Sequence, residues 1–310
     1  MATPLFIMGK HRSGNTFLAN LLLSHPKIAG IHYSADSDIS RIGMHESGFF
    51  NRIEGRYGDL QNFENYVEFA AVMSKSEYFI LANVTFEELM RYFGADYHVV
   101  FRKVMDRYTT ECDAAYWMEK SPSNALHAQR LKRYYPDAKF IGIVRDEVDV
   151  ALSSLHLKDK QHESRLTRLK VLITVTVLKY IYDLSMTKMK NAYPQSVFII
   201  QYTDLVEHQG QLADKMCDFL GLESSELSSC YIKNTSFSVS REKKSYTYER
   251  FIVRILYRYI LRLFPHKLLV VLNKMLSDLS HEPLPGWFFR SQKRQKIHRS
   301  DSKIDIGTTD

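Results

Sequence analysis

Apolar residues fall in short blocks along this chain, and the spacing inside each block separates strands from helices. Leu5-Phe6-Ile7-Met8 is an unbroken apolar run that ends in a loop holding Gly9 and Gly14. FLANLLL follows at helical spacing and stops at His25-Pro26. Residues 27–31 read as a second short strand. From 33 to 59 the chain is polar and carries Gly43, Gly48, Gly55 and Gly58, which predicts a long loop with short helical turns. Loops of this length are usually functional or disordered. Helical spacing of apolar positions returns over 60–79 and 85–110.

Ser121-Pro122-Ser123 reads as a cap-and-proline start for a helix over 124–135. After the turn at Pro136-Asp137, KFIGIV (139–144) predicts a buried strand, and 148–155 a helix. A long helix is expected over 165–191, a strand over 197–202, and a helix over 209–220 closed by Gly221. Strands alternating with helices predict an α/β fold, a three-layer arrangement with a central parallel sheet flanked by helices. Ligands of such sheets sit beyond the C-terminal strand ends. The glycine loop and Arg145 both fall there.

Strand, glycine loop and helix together form a cradle for phosphate, because backbone N–H groups converge at a helix N-terminus whose dipole favours negative charge. Gly9, Gly14 and Thr16 match the phosphate-loop spacing, but Asn15 stands where that loop carries its lysine. The missing lysine argues against a nucleoside triphosphate. Lys10 and Arg12 place the loop's cations earlier. A second anion-binding element is Arg145-Asp146 with Ser153 eight residues after the arginine, about two helical turns on. Arginine at a strand end can grip a phosphate bidentately, and the serine can add a hydroxyl.

At these residues the chain resembles the sulfotransferases that use 3′-phosphoadenosine 5′-phosphosulfate (PAPS). RSGNT is similar to that family's 5′-phosphosulfate loop, and VRDEVDVALSS to its 3′-phosphate strand–loop–helix, with Glu147 in place of the usual proline. EKSP (119–122), YPDAKFIGIVRD and QYTDL…CDFLGL extend the resemblance, which is nearest to the glycan and bacterial branch. It implies a P-loop-type α/β fold and in-line transfer of a sulfuryl group to a hydroxyl or amine. PAPS would be the co-substrate, with no metal. Arg12, Ser13, Gly14, Asn15, Thr16, Arg145 and Ser153 would bind the donor. The catalytic set implied is Arg12, Lys120 of EKSP, and Glu46, which occupies the glutamate position of the E-x-x-F-F pattern in HESGFF. His45 is the rival base, since another branch uses histidine, and His32 a third candidate. Arg241, Lys243 and Lys244 could close over the 3′-phosphate or form a solvated charge run. The acceptor expected is a glycan, glycolipid or small molecule. The competing readings are a P-loop kinase or triphosphatase, and a non-catalytic nucleotide-binding, membrane-associated protein.

Composition adds two points. The 310 residues include 42 Lys and Arg against 35 Asp and Glu, a net charge of +7, and no motif assigns that excess to nucleic acid. Much of it gathers near the C-terminus, where Arg250, Arg254, Arg258, Arg262 and His266 recur every four residues. With no acid between Glu249 and Asp278, 250–276 reads either as a basic amphipathic helix for an anionic membrane or as a core-packed helix with a solvated face. The domains expected are 1–245 catalytic, 246–289 a helical extension, and 290–310 a disordered tail. Three cysteines without a C-x-x-C pair suit a reducing compartment and no structural zinc. A cytoplasmic protein, peripheral at the membrane at most, is the expectation.

Overall fold

A computed structural model describes residues 1–32, 43–158, 164–224, 246–265, 268, 271–272, 274–275 and 279–289. The chain opens with β1 (Thr3–Met8), α1 (Asn15–Leu23) and β2 (Ile28–Gly30), then a π-helical turn at Phe49–Ile53. Four helices follow: α2 (Phe63–Met73), α3 (Glu77–Leu81), α4 (Phe86–Met90) and α5 (Tyr97–Glu111). Asn62, Ser76 and Thr85 cap the first three of these through side-chain oxygens, which breaks the two long helical stretches expected from spacing into four pieces. Next come β3 (Tyr116–Lys120), α6 (Asn124–Tyr134), β4 (Lys139–Val144), α7 (Glu147–Lys158), α8 (Arg165–Ala192) and β5 (Val197–Gln201). The last named helices are α9 (Tyr202–Glu207), α10 (Gln209–Leu220) and α11 (Thr247–Ile255). Gly221 takes the left-handed C-cap at φ 70°.

The sheet runs β2-β3-β1-β4-β5 with every pairing parallel. β1 lies at its centre, covered on both faces, which explains its continuous apolar run. Alternate residues point to opposite faces. Phe6 joins Trp117 and Phe140 in one core, while Leu5 and Ile7 join Met118 and Ile141 in the other. Each fully buried side chain of this size contributes about 2–3 kcal/mol.

β3 was not foreseen. It is only five residues long, wholly buried, and ends in Glu119 and Lys120, so its charged end interrupts the apolar signal. Its register sets Lys120 opposite Ile7, one residue from the end of β1. The C-terminal ends of β1, β3 and β4 therefore open on the same edge. After β1 the chain moves to one side of the sheet and later crosses to β4 on the other, making the crevice beside β1 a topological switch point.

Candidate active site

The phosphate loop takes its shape from backbone conformations that few residues tolerate. Gly14 has φ 101°, and a Cβ there would stand 2.7 Å from the Tyr202 ring. A Cβ on Gly9 would meet the Ile143 carbonyl at 2.8 Å. Arg12 itself adopts φ 74°, an uncommon state for a side-chain-bearing residue. Asn15 is 5% exposed and turned inward, donating from Nδ2 to the carbonyls of Lys10 (3.0 Å) and Gly9 (3.3 Å). The residue in the lysine's position thus staples the loop from within. α1 begins at Asn15, so its first N–H groups, which have no intrahelical partners, point toward the loop that precedes it. Ser13 is wholly buried and its Oγ has no hydrogen-bond partner among the described residues.

The second arm meets the first directly. Arg145 leaves β4 buried, donates from Nη1 to the Arg12 carbonyl at 3.2 Å, and lies 4.2 Å over the Tyr202 ring. Asp149 lies 3.6 Å from its Nη2. Asp146 accepts from the N–H groups of Val148 and Asp149 at 2.9 and 3.1 Å and so caps α7. On α7, Ser153 accepts from Arg12 Nε at 3.0 Å. Burial and the neighbouring Arg145 both pull the Arg12 guanidinium below its ordinary pKa. Two crowded cations and the buried Ser13 hydroxyl, without a partner among the described residues, fit an anionic ligand, which would relieve the repulsion and satisfy the hydroxyl.

Across the same edge, Lys120 Nζ donates to Glu46 Oε1 at 2.8 Å; Lys120 is 4% exposed and Glu46 37%. Burial in the cleft would raise the Glu46 carboxyl, but the charges of Lys120 and His11 outweigh it and hold the group below the usual carboxylate range. His11 lies at the cleft surface with protein packed closely around it. Burial, with Lys10, Lys120 and Arg12 nearby, lowers it to about 4, so it is neutral at pH 7 and Lys120 is then the principal counterion of Glu46. His45 faces the core, with Nε2 3.1 Å from Glu77 Oε2 and Nδ1 2.8 Å from the Glu46 carbonyl. His32 engages the Gly30 carbonyl at 2.8 Å through Nδ1.

Glu119 holds this half together. It is fully buried and accepts from Ser47 N–H (3.3 Å), Ser47 Oγ (2.7 Å), Ser121 Oγ (2.6 Å) and Asn124 Nδ2 (2.5 Å). Ser121 Oγ also accepts from Gly48 N–H at 3.2 Å, and Asn124 Nδ2 reaches the Ile7 carbonyl at 3.2 Å. The serines expected to cap α6 make no side-chain cap; Ser121 is committed to Glu119 instead. The carboxylate therefore joins the residue after Glu46 and the residue after Lys120 to the strand that carries the phosphate loop.

Sequence reasoning brought Arg12, Ser153 and Arg145 together, and the structure places them in contact. It also puts Glu46 on Lys120. It did not find Glu119 or Tyr202. A glutamate inside EKSP flanked by Ser121 and Asn124 was the available signal for the first. Arg241, Lys243, Lys244 and Cys230 lie outside the described residues.

The fold and its crowded strand-end cations define a P-loop-type three-layer α/β protein arranged for anion chemistry. The sequence profile of the sulfotransferase family matches residues 4–226, and the chain belongs to that family; it is a sulfotransferase. The solved sulfotransferase domain from the Synechococcus PCC 7002 olefin synthase is 18% identical, covering 92% of this chain and 96% of its own, with a TM-score of 0.50, a likeness of fold. The sulfotransferase from Alicyclobacillus acidocaldarius is also 18% identical, covering 93% of this chain and 99% of its own, at a TM-score of 0.47. Mouse sulfotransferase SULT7A1 complexed with PAP is 14% identical, covering 98% and 84%, at 0.37. No curated protein sequence matches the chain significantly.

Proposed function

We propose that the protein transfers a sulfuryl group from PAPS to a hydroxyl or amine of an acceptor, with a carbohydrate or glycolipid as the acceptor class. The observation that carries the donor reading is the junction of the two arms, where Arg12 Nε meets Ser153 Oγ at 3.0 Å and Arg145 holds the Arg12 carbonyl. Arg12 to Thr16 would hold the 5′-phosphosulfate, and Arg145 with Ser153 the 3′-phosphate. When bound, PAPS supplies a sulfuryl group on a phosphate leaving group. Glu46, ionised at neutral pH, accepts the proton of the acceptor hydroxyl. Lys120 positions that carboxylate and offers its ammonium to oxygens that gain negative charge, and Arg12 does the same from the loop side. His45, occupied on both ring nitrogens, is left in a positioning role behind Glu46. The acceptor class rests on the motif resemblance.

The test incubates the protein with radiolabelled PAPS and a cell extract separated into glycan, lipid and protein fractions. Label moving into the glycan or lipid fraction, and lost with Glu46→Gln, is the expected result. Absence of PAPS and PAP binding, or tight ATP binding in their place, would overturn the donor reading. Label appearing only in the protein fraction would overturn the acceptor class alone.

A further inference from the structure

Fourteen large hydrophobic residues are exposed among the described residues, and eight of them lie between Tyr248 and Met275. That concentration is not a property of the whole surface, and it coincides with the stretch between Glu249 and Asp278 that contains no acidic residue. No helix among the described residues is long and apolar enough to cross a membrane.

α11 continues through a π-helical turn at Leu256–Ile260 and a 3-10 turn at Leu261–Leu263. Its residues sort into three stripes, two repeating every fourth position and the third at the same spacing but interrupted by the half-buried Ile255. Val253, Tyr257 and Leu261 face the body: Val253 and Leu261 are buried, and the Tyr257 hydroxyl donates to Asp183 of α8. Arg254, Arg258 and Arg262 are exposed along the next stripe. Phe251, Tyr259 and Leu263, at 62%, 67% and 84% exposed, form the third. The apolar residues do not all pack inward as one side: Ile252, Ile255 and Leu256 are half-buried, and the aromatic and leucine stripe faces out. A groove of about 810 Å³ between α8 and α11 is lined by Leu166, Leu169, Leu172 and Tyr248 together with the charged Arg165, Arg168 and Glu249.

The element is anchored, so the outward stripe is held in place rather than loosely tethered. Arg168 meets Glu249 at 3.1 Å, and Arg258 Nε meets Glu147 Oε1 at 2.9 Å. Glu147 follows Arg145 by two residues, so the basic element is fixed beside the donor arm, and Arg258 is spoken for within the protein.

We propose that this face, the outward stripe of Phe251, Tyr259 and Leu263 with the flanking Arg250, Arg254 and Arg262, docks on an anionic lipid bilayer. Aromatic and leucine side chains enter the headgroup boundary while the arginines meet lipid phosphates and carboxylates, the arrangement of an interfacial helix. Charge complementarity selects this occupant: between Glu249 and Asp278 the segment sets arginines beside an apolar stripe and carries no acid, so the same face of a second copy would repel it. The inference stands apart from sulfuryl transfer, and brings the cleft beside Glu147 near the membrane plane.

The test is sedimentation of the full-length protein with vesicles of phosphatidylcholine alone or mixed with phosphatidylserine. Binding should be at least about tenfold stronger to the anionic vesicles and fall with added salt. Arg254→Glu with Arg262→Glu should abolish it, and Phe251→Ser with Leu263→Ser should weaken it about tenfold. PAP affinity equal to wild type shows that each variant is folded and that the donor site is untouched. Equal binding to neutral and anionic vesicles, no binding at all, or retention by the arginine variant overturns the proposal. Lipid-free self-association that the same variants remove also overturns it, in favour of a contact between copies.

Discussion

The two halves of the cleft, the proposed donor half around Arg12 and Arg145 and the proposed catalytic half around Glu46 and Lys120, are built by opposite means. The donor half is mostly local: a glycine loop stapled by its own Asn15, and a strand-end Arg145 whose next residue caps the following helix. Its long reaches run from one of these local arms to the other, Arg12 to Ser153 and Arg145 to the Arg12 carbonyl. The catalytic half is assembled from distant segments. Glu46 and Lys120 are 74 residues apart, and the buried Glu119 positions both by binding their neighbours. The donor half should therefore fail one ligand contact at a time, whereas the catalytic half should fail through geometry. Substitutions that separate turnover from donor binding test this division.

The largest effect is expected for Glu46→Gln. Removing the proposed proton acceptor should lower kcat by about 10²–10⁴-fold with PAP affinity unchanged by calorimetry. The carboxyl titrates below the ordinary carboxylate range, so wild-type activity should persist through mild acid and fall only as pH drops through that lowered value. A variant with full turnover removes Glu46 as the base. Arg145→Ala comes next, from the other half. Loss of a charge-assisted contact costs about 1.5–3 kcal/mol, so PAP should bind some tens-fold more weakly while kcat at saturating donor changes little. A fall in kcat of the same size would show that the halves are not separable.

The same division explains what could be read from the chain. The glycine spacing, the missing lysine and the Arg145–Ser153 interval are local patterns with few alternative uses, and the structure put them in contact. The donor half was legible because backbone conformation and helix periodicity dictate it. β3 was not, because a five-residue strand ending in two charges has no alternation to detect. Without β3, nothing in the order of residues says that Lys120 faces Ile7 or that Ser121 serves a buried carboxylate instead of a helix cap. The C-terminal stripe of arginines was visible as periodicity. Which apolar residues beside it face outward depended on the docking of Val253 and Leu261, a tertiary fact.

Glu119→Gln sharpens the comparison at a smaller scale. The new amide nitrogen opposes donors where the carboxylate accepted four of them, leaving at least one buried group unsatisfied. A loss in kcat of about tenfold is expected as Glu46 and Lys120 drift apart, with the donor KM held. A weakened ion pair also lets the Glu46 carboxyl rise, so the acidic limb of the kcat/KM profile should move to higher pH. A merely structural residue would lower Tm and leave that limb in place, and this outcome would remove Glu119 from the catalytic half.

The smallest effect concerns Lys10, which lies at the boundary of the halves. It is 8% exposed, stands 5.5 Å over the Tyr182 ring, and is lowered to about 8 by burial and by the charge of Lys179. Lys179 is paired with Asp183, and among the described residues Lys10 has no carboxylate in salt-bridge range. Between pH 8 and its ordinary value the folded protein binds fewer protons at this site than the unfolded chain. Stability therefore rises with pH through that window, and the charged form costs stability at neutral pH. Lys10→Met should raise Tm by several degrees, in line with relief of about 1–3 kcal/mol, while weakening PAP binding about three- to tenfold at pH 7. The wild-type affinity for PAP should itself decline as pH rises through about 8, and the variant should lose that dependence. A variant that gains stability yet binds PAP as tightly as wild type, with the same pH profile, would show that Lys10 serves neither phosphate and that the donor half ends at Arg12.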